Sequence, residues 1–294
     1  MTTKGGALLG IIGGSGLYEM MGLEDVREAR VTTPFGDPSD AYVTGTLGAR
    51  RVAFLPRHGK GHRLAPSELN FRANIHGFKA LGADAIVSIS AVGSLREHIR
   101  PGTVVVPDQF IDRTRGRIST FFGDGVVAHV SFADPFCAPL SRLLTISARE
   151  AGAEVHAGGT YVCMEGPQFS TRAESHLYRT WGGDIIGMTN LQEAKLAREA
   201  ELCFATLAMA TDFDCWRSPE ADVEITDVLA VLRSNADLAK RTVALVAERM
   251  ESERRCGCRS ALEHAIITDS AAVPARRLTE LAVVAGRVLG RGHS

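Results

Sequence analysis

The chain has 294 residues, 45% of them hydrophobic, with 33 Lys and Arg against 34 Asp and Glu for a formal net charge of -1. It is long enough for one large α/β core, and its charge balance gives no broad field to gather nucleic acid or an anionic membrane surface. No stretch reaches the roughly 20 apolar residues of a membrane span, and Ala7 to Ile12 is too short for a signal segment, so a cytoplasmic protein is expected.

Short apolar runs recur along the chain as expected strands: Ala7 to Ile12, Val52 to Leu55, Ala85 to Ile89, Thr103 to Val106, Ile185 to Met188 and Phe204 to Ala210. Between them, Ser67 to Leu81, Leu140 to Ala151, Arg172 to Trp181 and Leu191 to Ala200 have helical spacing. Ser67 is the expected N-cap of the first helix, and Gly82 and Gly152 are expected helix stops. This alternation predicts a single α/β domain spanning 1–294, with a mixed, largely parallel sheet flanked by helices. From about Asp222 the pattern turns helical, over Thr226 to Met250 and Pro274 to Leu289, as an outer layer. Arg249 to Arg259 reads as an exposed connection.

Six cysteines, at 137, 163, 203, 215, 256 and 258, show no Cys-x-x-Cys pair, so buried free thiols are expected and no metal is assigned. Cys256-Gly257-Cys258 is the exception; it could close a small strained disulfide, although a reducing cytosol favours free thiols.

The candidate site residues sit where apolar runs end, the side of an open parallel sheet on which ligands bind. Gly10 to Gly16 forms a glycine-rich loop in which backbone amides and the Ser15 hydroxyl can approach an anion. A dinucleotide loop has different spacing, a nucleophile elbow would need glycine where Leu17 stands, and a simple tight turn is the plain alternative. Arg57 offers a fork of donors suited to phosphate and His58 another donor. His62 stands four residues after His58, but the intervening glycines oppose the helix that a metal pair at that spacing needs, and it reads as part of a solvated loop.

Ser90, within the small residues Ser88 to Ser94, is a candidate phosphate donor. Glu165 can accept from sugar hydroxyls and Phe169 can stack on a base. Thr189 either caps the helix that follows it or presents its hydroxyl and the helix N-terminus to an anion, with Met188 as an apolar surface under a ribose. Asp212 and Asp214 then deliver two carboxylates at the end of a buried run.

Together these motifs call for a nucleoside and phosphate, and the chain resembles the trimeric purine nucleoside phosphorylase and methylthioadenosine phosphorylase family. The resemblance rests on Gly10 to Tyr18, Thr33 to Gly36, Arg57-His58-Gly59, Asn70 to Ile75, Gly93 to Arg96, Asp108 to Thr114, Glu165 to Ser170, Met188-Thr189 and Asp212 to Trp216. It implies phosphate binding by Ser15, Arg57, His58, Ser90 with Ala91, and Thr189, ribose binding by Met188, and purine binding by Phe169, Ser170, Asp212 and Asp214. It also implies a methylthio pocket of Ile225, Val228 and Leu229, which at i, i+3, i+4 equally form the core face of a helix. His129 would reach the ligand's 5' side from an adjacent subunit, in a homotrimer or a dimer of trimers.

The activity so implied is phosphorolysis of methylthioadenosine to adenine and methylthioribose 1-phosphate in purine and methionine salvage. Phosphate serves as co-substrate, and no cofactor, nucleic acid or membrane takes part. Asp214 is the expected general acid, its proton held by burial near Asp212, and Asp212 the acceptor for a 6-amino group. The alternatives are a broader purine nucleoside phosphorylase and a noncatalytic nucleoside-binding protein.

Overall fold

The computed structural model describes residues 8–14, 22–217, 225–251, 253 and 255–290, with the backbone alone along 225–235. In chain order the elements are β1 (Leu8–Gly13), β2 (Leu23–Ala29), β3 (Tyr42–Leu47), β4 (Arg50–Pro56), α1 (Phe71–Ala80), β5 (Ala83–Ser94), β6 (Val104–Val106), β7 (Gln109–Arg113) and α2 (Ala138–Glu150). They continue with β8 (Val155–Ala157), β9 (Thr160–Met164), α3 (Arg172–Thr180), β10 (Ile185–Gly187), α4 (Asn190–Glu199), β11 (Cys203–Asp212), α5 (Ile225–Arg249), α6 (Ala275–Glu280) and α7 (Ala282–Leu289). The result is the expected mixed α/β fold. Among the described residues no helix is long and apolar enough to cross a membrane.

The sheet runs β2-β3-β4-β1-β5-β10-β9-β7, and a branch leaves β5 through β11 to β6 and β8. β4, β1, β5 and β11 are mutually parallel, so their carboxyl ends share one edge. Such strands are continuous apolar runs because helices cover both faces. β1 shows the alternation: Leu8 and Ile12 join Phe71, Ile75, Phe78 and Ala197 on one face, and Leu9 and Ile11 join Leu140, Leu144, Val243 and Val246 on the other. Gly10 must be small, since a Cβ there would lie 2.7 Å from the Phe78 ring.

Several expectations are adjusted. The N-cap of α1 is Asn70, whose side chain accepts from the Ala73 N–H at 3.1 Å; Ser67 lies in a preceding 3-10 turn and donates to Glu165. Pro274 to Leu289 forms two helices, with Leu281 between them. β5 runs on to Ser94, beyond the expected Ala85 to Ile89 run, because its small residues pair with β11 on one side and with β10 on the other. Gly82 and Gly152 do end helices, with φ of +86° and +95°. The Arg249 to Arg259 connection is anchored as well as exposed, since Cys258 is buried.

Candidate active site

The fork of β5 determines the geometry of the site. Gly93 pairs with Ile186 of antiparallel β10 and with Asp212 of parallel β11. Met188 and Thr189 follow directly on β10, in the turn that leads into α4. On the other side the pairing slips by one residue between Ala210 and Asp212. Such a bulge re-aims the side chains beyond it, here the two acids, and a Cβ on Gly93 would lie 3.0 Å from Asp212 Oδ1 and 3.3 Å from Asp214 Cβ.

At the anion end, Ser90 is buried and its hydroxyl lies beside the equally buried Tyr161 hydroxyl without a well-formed bond between them. A hydroxyl shut in that way loses free energy unless a ligand answers it. Thr189 occupies the N-cap position of α4, yet its side chain makes no capping bond. Of its two readings the cap therefore falls away, and the hydroxyl and the N-terminus of α4 are left for an anion.

Arg57 and His58 differ from expectation in what they offer. The Arg57 guanidinium is turned inward: Nε donates to Glu193 Oε1 at 2.5 Å, Nη2 to Ser88 Oγ at 2.7 Å and Nη1 to the Ile89 carbonyl at 3.0 Å. Rather than a free fork, it presents the remaining Nη1 proton and its positive charge. His58 Nδ1 lies 2.7 Å from the Leu64 carbonyl, which can only accept, so Nδ1 carries the proton. Burial, then Arg57, holds its pKa down at about 4. The neutral ring therefore offers Nε2 as an acceptor, suited to the P–OH of a hydrogen phosphate ion, and not the donor expected of it. His62 is exposed and stacks on His58 with centroids 4.2 Å apart.

Beneath these groups lies a buried polar network with little sequence signature. Ser88 Oγ donates to Glu193 Oε2 at 2.7 Å and accepts from Asn190 at 2.8 Å, and Asn190 accepts from Thr206 at 2.8 Å. Glu193 and Asn190 are fully buried. The network joins the loop after β4 to β5, α4 and β11, and so holds the anion-binding edges in register.

Glu165 is corrected. Its carboxylate is engaged by the Ser67 hydroxyl, by the Arg115 N–H at 2.7 Å and by Arg117 Nε at 3.2 Å. Burial would raise its pKa, but these partners outweigh it and hold the group below its ordinary value. It is thus a brace for the loops and not a free acceptor for sugar hydroxyls. Arg117, absent from the sequence-based set, also donates to the Glu165 and Met188 carbonyls and to Gln192 Oε1 at 3.2 Å. Met188 is half-buried under Gly166, at φ +67°, where a Cβ would strike its sulfur.

At the base end, Asp214 is 9% exposed and left-handed at φ +51°. Its N–H donates to Asp212 Oδ1 at 2.7 Å, while Thr211 Oγ1 donates to Asp212 Oδ2 at 2.6 Å. Burial raises the pKa of both carboxyls, and the Asp212 charge adds to the rise at Asp214. The Ser175 and Ser170 hydroxyls oppose that rise without closing a bond to Asp214 Oδ2, which is buried and unpartnered. Trp216 pins the following loop: its Nε1 donates to the Ser94 carbonyl at 2.7 Å, and Arg179 lies 3.5 Å above its ring.

Ser170 accepts from Cys215 Sγ through its carbonyl at 3.2 Å, so it stands beside the acids as expected. Phe169 is 50% exposed. His129 is exposed, its N–H bound to the Ala265 carbonyl at 2.8 Å. Ser15 lies outside the described residues, as do the side chains of Ile225, Val228 and Leu229 on the first turns of α5.

Residues 8–248 match the family model described as the phosphorylase superfamily. S-methyl-5'-thioadenosine phosphorylase of Koribacter versatilis is 59% identical over 284 residues, 97% of each chain, and that of Geobacter sulfurreducens is 58% identical over 280 residues, 95% of this chain and 98% of its own. Among solved structures, a methylthioadenosine phosphorylase from an antarctic soil metagenomic library superposes with a TM-score of 0.87 at 49% identity, covering 96% of this chain and 99% of its own. The Schistosoma mansoni methylthioadenosine phosphorylase in complex with adenine gives 0.81 at 39% identity, over 87% and 96%.

Proposed function

The chain belongs to the phosphorylase superfamily, and we propose on that premise that it cleaves methylthioadenosine with phosphate to adenine and methylthioribose 1-phosphate. The observation that carries this reading is the buried acid pair at the end of β11, with Asp214 Oδ2 unpartnered, on the same sheet edge as the Ser90 hydroxyl, whose bonding capacity Tyr161 leaves unfilled. One end of that edge suits a purine and the other an anion.

Phosphorolysis places positive charge on C1' of the sugar and negative charge on the departing base. Phosphate held by Ser90, Thr189, the N-terminus of α4 and the Arg57 charge stands as nucleophile and counter-charge, so positioning and electrostatics do most of the work. No cofactor is called for. Asp214, protonated through burial, donates toward N7 of the purine, and Asp212 accepts from the 6-amino group with the lone pairs left free by Thr211 and the Asp214 N–H. A 6-oxo group would face Asp212 acceptor to acceptor, which disfavours hypoxanthine.

Ile225, Val228 and Leu229 are proposed to receive the methylthio group. An apolar pocket discriminates by only about 1–3 kcal/mol per small group, so adenosine is the second substrate to compare. His129 on the surface supports assembly into a homotrimer or a dimer of trimers in which it approaches a neighbouring site.

The test is initial rates of free-base release from methylthioadenosine, adenosine and inosine, each with and without phosphate. The reading requires phosphate-dependent adenine release that is fastest from methylthioadenosine. Inosine preference would remove the role given to Asp212, and binding without turnover of any nucleoside would make the protein a noncatalytic binder.

A further inference from the structure

At the opposite end of β11 from the acid pair, four of the six cysteines converge. Cys137 stands at the N-terminus of α2, Cys203 begins β11, and Cys256 and Cys258 flank Gly257 at the entrance to the 3-10 turn over 257–260. All four Sγ atoms lie within 4.8 Å of one another, and those of Cys203 and Cys256 are 3.4 Å apart. Each is a free thiol; Cys137, Cys203 and Cys258 are buried and Cys256 is half-buried.

We propose that these cysteines form a tetrathiolate site for a soft divalent cation, specifically zinc. Four sulfurs at about 2.3 Å from a common centre occupy tetrahedral corners about 3.8 Å apart, a value that the observed separations bracket. The donor set is all sulfur, which selects zinc over the hard cations that prefer oxygen. The ligands come from three separate parts of the chain already held together: the Cys137 N–H donates to the Phe204 carbonyl at 2.8 Å, tying the start of α2 to the start of β11. The Cys137 side chain makes no capping bond, so its sulfur is not committed to the helix.

Charge and access fit as well. Zinc with four thiolates carries a net charge of two minus, and the α2 N-terminus favours negative charge at Cys137. A cavity of ≈ 330 Å³ reaches Cys137, Cys203 and Cys256 and is also lined by Arg142, Arg249 and Arg255. Asp84, Glu251 and Glu253 line it too, and Arg249 and Arg255 are paired with Glu150 and Glu251, so what the cavity supplies is an entry path. With four protein ligands the site leaves no position for a substrate, which makes it structural. Cys203 and Asp212 stand at opposite ends of the ten-residue β11, about 30 Å of extended chain apart, so the effect of the site falls on stability and not on turnover.

The test is the metal content of protein purified without chelator or added metal, followed by cobalt(II) titration of chelator-stripped protein. The proposal requires about one zinc per chain and, with cobalt, the intense visible absorption of a tetrahedral sulfur site. The Cys256→Ser/Cys258→Ser double variant should lose both signals and melt at a lower temperature, with kcat and KM within about two-fold of the parent. Metal-free protein that gives no cobalt absorption overturns the site. So does zinc that persists in the double variant, or a thiol count on denatured, chelator-treated protein that falls short of the six cysteines and thereby reveals oxidised pairs.

Discussion

Arg57 and Glu193 form a buried two-pronged ion pair, Nε to Oε1 at 2.5 Å and Nη2 to Oε2 at 3.2 Å, with side-chain exposures of 5% and 0%. Deleting Glu193 leaves the buried Arg57 charge with neutral partners only, the Ser88 hydroxyl and the Ile89 carbonyl, and no counter-ion. Glu193→Ala should therefore cost about 3–5 kcal/mol, read as a lower denaturant midpoint, while Glu193→Gln, which keeps shape and one acceptor, should fall between the variant and the parent.

Asp214 is placed to act as an acid, so Asp214→Ala should lower kcat by about 10²- to 10⁴-fold with the circular dichroism of the folded protein retained. Asp214→Asn keeps an N–H toward the purine without a transferable proton and should recover only part of that loss. Because burial and Asp212 raise the Asp214 pKa, the active protonated form persists above the usual carboxylate range and is lost as pH rises. The alkaline fall of kcat should flatten in Asp214→Asn; an unchanged profile would place the acid elsewhere.

Thr189 presents a hydroxyl that the helix does not use. Thr189→Val removes that donor with little change in shape, and hydrogen bonds to charged groups contribute about 1.5–3 kcal/mol. The KM for phosphate should rise by roughly 10- to 100-fold, with the KM for the nucleoside and the melting temperature near the parent values.

Glu199 supplies a pH signature in stability. It accepts from the Thr120 hydroxyl and from the Phe121 N–H, each at 2.7 Å, yet burial lifts its pKa from 4.5 to about 7. A folded-state value above the unfolded one means that the native state binds more protons between the two. Its contribution is therefore complete below about pH 4.5 and is lost as pH rises through about 7. In Glu199→Gln, the unfolding free energy should lose that decline across the window when compared with the parent.

Which parts were legible follows from how local their causes are. The central strands announce themselves as apolar runs because both faces are buried, whereas β2, Leu-Glu-Asp-Val-Arg-Glu-Ala, is largely exposed and carries no such mark. Ser90, Thr189, Asp212 and Asp214 stood out as candidates because each follows or ends an apolar run. Glu165 was misread, since its partners Ser67, Arg115 and Arg117 lie 98, 50 and 48 residues away, and an acid in a turn looks free until they are placed. The meeting of Arg57 with Glu193 spans 136 residues and has no local pattern. The cysteines were similarly opaque, because the ordinary zinc spacing is absent and the convergence depends on the path of β11.

Trp216 gives the protein a built-in optical reporter. The chain has two tryptophans; Trp181 is 44% exposed, whereas Trp216 is 7% exposed, two residues beyond Asp214 and under the Arg179 guanidinium. Replacing Trp181 by phenylalanine leaves one buried emitter beside the acid pair, bonded to the carbonyl of Ser94 on the strand that carries Gly93. Indole emission depends on neighbouring charge and on solvent access, so a purine bound at the acids, as proposed, should register as a change in colour and intensity. Occupancy of the base end can then be followed on the millisecond scale without a labelled ligand and separately from bond cleavage.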